Sequence, residues 1–314
     1  MGMKKVKVRI PASTSNLGPG FDVLALALQL YNIVEMEVAG GKGKKKLEID
    51  IIGEGEDSLP RDSRNIVYRA AKFVFDKFQF VPHSLHIKLK NGIPLARGLG
   101  SSAAARIGGL AGANRLCGGK LSRQEILDLA AEMEGHPDNV SAAIFGGLVA
   151  SCATSTPQGR RRIEVVKMNP PRDLSCVVCI PGFQVMTRMA RKILPGTIKF
   201  EQAVFTSSRV AMLLFALFQR RYSLLKMAME DRLHQPYRKR LVKGMERVFA
   251  SALKAGALGV SLSGAGPSIL AFTPSSSPTL AERVGKAMQG AFARYGVESR
   301  YLVLGIDREG TKIF

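Results

Sequence analysis

Apolar and polar residues alternate with a period of two along Lys5 to Ile10, Asn32 to Val38 and Lys46 to Ile52, and each run is bounded by Gly-rich or polar turns. Such runs predict strands of one sheet. From Ile66 the period lengthens: Val67, Ala70, Ala71, Val74, Phe75 and Phe78 share one helical face, so the pattern predicts a helix over Ile66 to Phe78 with Asp62 or Ser63 as its cap. His83 to Lys90 returns to strand alternation. An Ala/Gly-rich helix is then expected up to Leu116, stopped by Gly118 and Gly119. Ser122 with Glu125 forms a capping box for a further helix that ends near Glu134, before Gly135.

After the polar stretch Ser155 to Arg162, read as a hinge or loop, the expected order is strand, helices, hairpin, helix, strand. The strand covers Leu174 to Ile180, and the helices Lys199 to Asp231 and Leu241 to Ala255. The hairpin covers Leu258 to Phe272, the last helix Thr279 to Tyr295 and the last strand Ser299 to Gly305. That order fits a split βαββαβ layout with helices on one face of an antiparallel sheet. The fold class is therefore α+β.

Composition narrows the class. A chain of 314 residues with 46% hydrophobic content can bury a core in each of two domains, which excludes a disordered chain. The longest apolar run, Val210 to Phe218, is shorter than a membrane span and reads as a buried helix. The chain reaches a strand within a few residues of Met1, which leaves no room for a targeting peptide, and a cytoplasmic location is the expectation. Of the four cysteines only Cys176 and Cys179 have CxxC spacing, and within an apolar strand they read as core.

The net charge of +21 raises a nucleic-acid reading. Its clusters, Lys42 to Lys46, Arg160 to Arg162, Arg220 to Arg221 and Arg238 to Lys243, are scattered and lack interleaved aromatics. They read as solvated faces, and no nucleic-acid partner is expected.

Chemistry concentrates in Pro94 to Ala105, PLARGLGSSAAA, which lies between a strand and a strong helix former. Gly98 and Gly100 let backbone N–H groups close on phosphate oxygens, and a helix start adds partial positive charge. Ser101 and Ser102 offer hydroxyls to phosphate, to Mg²⁺ or to the helix end. The GxGxxA within it lacks the short buried strand of a dinucleotide site, and no Gly-Lys is followed by Ser or Thr, so a Walker loop is absent. A purely structural glycine turn remains the bland alternative.

Three segments in order carry a resemblance: PASTSNLGPGFDVLALAL (Pro11 to Leu28), PLARGLGSSAAA, and LSGAGPSILAF (Leu262 to Phe272). Together they resemble the GHMP small-molecule kinases. The first segment, and Glu134-Gly135-His136-Pro137-Asp138-Asn139-Val140, look like the homoserine kinases of that family. The resemblance implies a two-domain GHMP kinase fold, with an N-terminal mixed sheet with helices (1–160) and a C-terminal ferredoxin-like βαββαβ sandwich (161–314). It implies ATP as phosphoryl donor, Mg²⁺ as cofactor and L-homoserine as acceptor. No membrane partner is implied, and a homodimer is compatible with it.

Carried over by position, ATP binding falls to Pro94, Leu95, Ala96, Arg97, Gly98, Leu99, Gly100, Ser101, Ser102, Ala103 and Ala104, with Asn65 at the adenine. Metal binding falls to Ser102 and Glu134, the neighbouring Glu132 reading as a surface carboxylate. A zwitterionic acceptor needs an anion for its ammonium and a cation for its carboxylate. Asn16 and Asp22 are the candidates for the first, and Thr187, Arg191 and Arg238 for the second, the bland reading of Arg238 being a solvated member of its basic run. Asp138 and Asn139 are the catalytic candidates: either Asp138 is a general base, or Asn139 orients the hydroxyl and the proton leaves on phosphate. Asn139 also counts among the acceptor-binding residues. His136 reads as a loop histidine with a structural hydrogen bond. Ser263 to Pro267 reads as a plain hairpin turn on sequence alone, and as a loop reaching the site by resemblance. Other acceptors within the family, a nicotinamide oxidoreductase, and a nucleic-acid binder on an inactive kinase fold are the competing readings.

Overall fold

A computed structural model describes residues 4–39, 46–156, 159 and 161–314. Most of the basic run Lys42 to Lys46, and Arg160, lie outside the described residues. The first sheet is mixed and seven-stranded. Its path runs β11 (Lys312–Ile313), β1 (Lys4–Asn16), β2 (Gly20–Ala39), β4 (Ser84–Asn91) and β3 (Lys46–Gly53), with β5 (Leu148–Ser155) paired to β2 and to β6 (Arg161–Met168). Only the β3–β4 pair is parallel among these pairings.

β1 and β2 exceed the alternating runs that predicted them. They extend through the Pro11 to Leu28 motif, which becomes the turn of one long hairpin. From Ile10 to Asn16 every residue is buried, on both faces of the strand, so the period-two signal disappears although the strand continues. Bulges between Pro11 and Ala12 and between Ser15 and Asn16 bend this end of the hairpin.

Four helices pack with this sheet. α1 (Ile66–Lys77) buries the predicted stripe from Val67 to Phe75, but its cap is Asn65, whose side chain accepts from the Val67 N–H. α2 (Ser101–Leu116) is buried along most of its length, and α3 (Arg123–Glu134) starts at the expected capping box of Ser122 and Glu125. α4 (Asp138–Phe145), β5 and β6 had no sequence counterpart; the hinge expected at Ser155 to Arg162 is the connection of the β5–β6 hairpin. Small and polar residues in these segments carry little periodic signal.

The second sheet has the order β10 (Ser299–Leu304), β7 (Leu174–Pro181), β9 (Ile269–Pro274), β8 (Gly259–Leu262) and is antiparallel throughout. This is the ferredoxin-like order expected. α9 (Met245–Lys254) and α10 (Pro278–Ala293) cover one face, packing on Val177, Cys179, Leu262 and Ala271. For the opposite face the sequence reading made no expectation. There Cys176, Val178, Leu270 and Phe272 join the large core together with Leu213, Leu217 and Leu225. Cys176 and Cys179 are core residues on opposite faces, and burial pushes both thiols up, Cys179 to about 12.

The long helix expected from Lys199 to Asp231 is broken. α6 (Phe200–Phe218) ends before Arg220, which takes a left-handed φ of 57°. A 3₁₀ turn at Tyr222–Leu224, α7 (Leu225–Ala228) and α8 (Gln235–Arg238) follow, with α5 (Thr187–Lys192) lying before α6. α6 is also not buried as its apolar run suggested. Its length and composition would allow it to cross a membrane, and its outward face presents Phe200, Val204, Phe215 and Phe218.

Candidate functional site

The two sheets meet along the hairpin turn after β1, and five segments converge there. In the turn, Asn16, Leu17 and Asp22 all take left-handed φ values, of 72°, 48° and 58°. Non-glycine residues hold that conformation only where the surroundings fix them. The fixing contacts cross to the second sheet: Asn16 donates to the Gly264 carbonyl at 2.9 Å, and its Oδ1 accepts the Asp22 N–H at 3.0 Å.

The phosphate segment packs against the same turn. Gly98 and Gly100 have φ of 74° and 72°, and a methyl group on either would collide, with the Ser263 carbonyl at 2.0 Å or the Ser13 Oγ at 2.2 Å. Their glycines are thus required by the close approach of protein backbone and side chain as well as by φ. Gly100 is the residue preceding α2 and makes no side-chain cap, so the first-turn amides of α2 lack carbonyl partners within the helix. Ser101 and Ser102 are its first helical residues.

A cavity of about 1510 Å³ lies on one side of this segment, and a smaller one of about 570 Å³ on the other. Ala96, Ser101, Ser102, Glu134, His136 and Thr187 line both, which makes them one continuous cleft. The larger part has apolar walls such as Ile66, Val67, Leu89 and Leu95, suited to a flat base, whereas the smaller is ringed by charge.

Ser102 Oγ donates to the Glu134 carboxylate at 3.1 Å, and the Arg106 guanidinium contacts both. The hydroxyl and carboxylate oxygens suit a hard divalent cation, and Arg106 already places a positive charge between them. Arg106 escaped the sequence reading, although it stands one turn after Ser102 on α2.

Past Glu134, the left-handed Gly135 ends α3 and the chain enters α4 at Asp138. The buried Asp138 accepts from His136 Nδ1 at 2.6 Å and from the Asn139 N–H at 2.7 Å. Burial alone would raise its pKa, but the bond and charge of His136, with the Asn139 and Ser15 donors, hold it below the ordinary carboxylate range. For His136, burial acts downward and the Asp138 partner more than offsets it, so its pKa is raised. Asn139 accepts from Ser13 Oγ at 2.9 Å and donates to Ser15 Oγ at 3.0 Å. These serines of the first motif also went unremarked in sequence.

The second half supplies the cations. Arg191 on α5 forms a two-pronged ion pair with Asp22, at 2.8 and 2.7 Å. Arg238 on α8 is buried and donates to the carbonyls of Ala190 at 3.2 Å and Gly264 at 3.0 Å. It is no member of a solvated basic run. Burial pulls its pKa down to about 10, which leaves it a cation at neutral pH. Both guanidiniums flank the Phe21 ring, at 5.6 and 5.1 Å from its centroid. The Ser263 to Pro267 loop is more than a hairpin turn: Ser263 Oγ bonds Thr14 Oγ1 at 2.8 Å and the Gly98 carbonyl at 2.7 Å.

Of the residues singled out in sequence, Asn16, Asp22, Asp138, Asn139, Thr187, Arg191 and Arg238 line the smaller part of the cleft with Pro94 and Ala96 to Ser102. Leu95 and Asn65 line the larger part, where the Asn65 amide is already engaged as helix cap and as donor to the Pro60 carbonyl at 2.8 Å. Arg97 turns away to donate to Gly182 O at 2.7 Å. Ala103 and Ala104 are wholly buried in the core, so their side chains face protein and not the cleft.

Two family descriptions match in order: GHMP kinases N terminal domain over residues 65–147, and GHMP kinases C terminal over residues 214–294. A homoserine kinase of Moorella thermoacetica is 48% identical over 93% of this chain and 94% of that one. One from Carboxydothermus hydrogenoformans is 43% identical over 97% and 95%. The crystal structure of homoserine kinase from Cytophaga hutchinsonii superposes with a TM-score of 0.85, at 32% identity over 99% of this chain and 97% of that one. The chain belongs to the GHMP kinases, among their homoserine kinases. The cleft just described joins the glycine-rich segment ahead of α2 to a pocket ringed by charge. The dinucleotide and inactive-fold readings have no counterpart in these matches.

Proposed function

We infer that the protein transfers the γ-phosphoryl group of ATP to the side-chain hydroxyl of L-homoserine, giving O-phosphohomoserine. The observation that carries this reading is the charged pocket beside the phosphate loop, where Asp22 supplies an anion and Arg191 and Arg238 supply cations. The first turn of α2 holds the phosphates, and the apolar larger cavity takes the base.

Phosphoryl transfer demands positioning and charge neutralisation more than a strong base. Asp138 is poorly suited to take a proton, because His136 and Asn139 crowd its Oδ1 and, with the Ser15 donor, hold its pKa down against burial. We assign it the task of fixing Asn139 and His136. Asn139, tied to Ser13 and Ser15, then orients the acceptor hydroxyl, whose proton leaves with the transferred phosphoryl group. Glu134 and Ser102 would hold Mg²⁺, with Arg106 displaced. Bound there, the ion neutralises charge on the phosphates.

Two functional units follow from this reading, residues 1–160 for ATP and 161–314 for closing the acceptor pocket, with β6 and β11 joining the first unit's sheet. For a homodimer, the outer face of α6 is the apolar surface on offer. Three of its phenylalanines expose on the order of 400 Å², about half of the ~800 Å² per partner in a stable interface. Sedimentation of the wild type and Phe215→Glu at 0.15 M salt tests this: a dimer turned monomeric supports it, and a monomeric wild type overturns it.

The reading itself is tested by ADP release in a coupled assay. Turnover with homoserine, and none with mevalonate or galactose, is expected; turnover with either alternative in place of homoserine would overturn it.

A further inference from the structure

His234 is a buried titratable side chain of the acceptor region that the chemistry above does not use. It is fully buried, one turn before Arg238. Its Nε2 lies 2.8 Å from the Gly18 carbonyl in the hairpin turn, and its Nδ1 lies 3.3 Å from Arg238 Nη1. Its ring stacks at a tilt on Phe21, with centroids 5.3 Å apart.

These partners settle the tautomer. A carbonyl can only accept, so Nε2 carries the hydrogen; a guanidinium can only donate, so Nδ1 offers a lone pair. A protonated ring would turn an N–H toward the Arg238 cation. Asp231 is near, 3.5 Å from Nε2, but its carboxylate already accepts the N–H groups of Leu233, His234 and Gln235 at 2.7, 2.9 and 2.7 Å. Those bonds hold the carboxylate to the backbone just ahead of the short helix that carries Arg238, and burial together with the Arg238 cation keeps the ring neutral against the pull of Asp231.

We propose that His234 is a positioning residue of the acceptor site: as a neutral Nε2–H imidazole it spans from the Gly18 carbonyl to Arg238 and fixes the guanidinium at the angle that receives the acceptor carboxylate. Arg238 Nη1 reaches His234 Nδ1 and Gly264 O, and Nε reaches Ala190 O, so three acceptors from three segments define its plane. The Ala190 and Gly264 carbonyls belong to elements of the second half; the Gly264 carbonyl also accepts from Asn16, and His234 adds a second tie from the same guanidinium, through Gly18, to the turn that carries Asp22. Ammonium site and carboxylate site are held at one spacing by this link, and that spacing measures an α-amino acid. The inference rests on Arg238 binding the acceptor carboxylate.

The test compares His234→Asn, His234→Gln and His234→Leu with the wild type and Arg238→Ala. Asn keeps an acceptor near the Nδ1 position, Gln keeps a donor nearer Nε2, and Leu keeps only bulk. Homoserine KM is expected to rise about tenfold or more in the Leu and Gln variants and at most about threefold in Asn, with ATP KM unchanged. A homoserine KM in His234→Leu equal to the wild type, while Arg238→Ala raises it, overturns the proposal. If Arg238→Ala leaves homoserine KM unchanged, the carboxylate assignment has failed instead. Nitrogen NMR of the wild-type imidazoles gives a reading that needs no variant to fold: one ring in the Nε2–H tautomer that does not titrate between pH 5 and 8 is expected, and an Nδ1–H or titrating His234 overturns the assignment.

Discussion

The two arginines of the acceptor pocket sit on two short helices of the second half and are held in opposite ways. Arg238, on α8, is buried with three protein acceptors, none of them charged. Arg191, on α5, is part exposed and spends its guanidinium on the Asp22 carboxylate. The first is a prepared cation awaiting an anion. The second is already neutralised by the group assigned to the substrate ammonium, so a zwitterion entering between them exchanges one internal ion pair for two external ones. The contrast shows why identical residue types in one pocket need not contribute equally: a buried cation whose carboxylates Asp22, Asp231 and Asp138 act only from a distance gains most from an anion in contact, and a half-exposed pair is screened by water.

The largest expected effect is on the buried arm. Arg238→Ala should lower kcat/KM for homoserine about a thousandfold, roughly 4 kcal/mol, with ATP KM near wild type in steady-state kinetics. Arg191→Ala should cost less, about tenfold, and the contrast breaks if it matches Arg238→Ala. Asp22→Asn sharpens it. Loss of the carboxylate frees Arg191, so homoserine KM should rise by roughly tenfold to a hundredfold while 4-hydroxybutanoate, which has no ammonium, should inhibit the variant better than the wild type.

A smaller effect is expected at the metal site. Arg106→Ala removes the resident cation between Ser102 and Glu134, so the Mg²⁺ concentration for half-maximal rate should fall about threefold, whereas Glu134→Gln should raise it; a Mg²⁺ titration at fixed ATP decides.

The smallest effect is on stability against pH. Burial, with Arg238 pushing the same way and Asp231 and Asp22 opposing, holds His234 down to about 4, against about 6.5 in the unfolded chain. Between those values the unfolded chain binds a proton that the folded one refuses, so this residue's contribution is full above about 6.5 and declines as pH falls toward about 4. The drop in Tm from pH 7 to pH 5 should therefore be smaller in His234→Asn than in wild type. An equal drop in both would place the acid sensitivity elsewhere.

Legibility varied with the physics of each segment. α1 and α3 were readable because one face of each is buried and the other is wet, so their periods are printed in the residue types, whereas β7, β8 and β9 of the second sheet, buried on both faces, were readable as short apolar runs between turns. β1 beyond Ile10 and α4 were not, being buried all round. α6 misled in the other direction: its apolar run promised burial, and its outer face is exposed. In the site, Asp22, Glu134 and Arg238 were named by resemblance. The same resemblance placed Ala103 and Ala104 at the nucleotide, where the structure has them in the core.

By itself the sequence determined the phosphate loop, the helix start behind it and the charge types an amino-acid acceptor requires, because glycine, serine and the ionised side chains carry those properties wherever they stand. Only the tertiary structure decided that Asp22 and Arg191 neutralise each other, that Arg106 sits on Ser102 and Glu134, and that His234 stands between Gly18 and Arg238. Those are relations between residues as many as 216 positions apart. A linear pattern records the chemistry of each residue; distance, burial and the direction of a hydrogen bond exist only once the hairpin turn and the second sheet have been packed against each other.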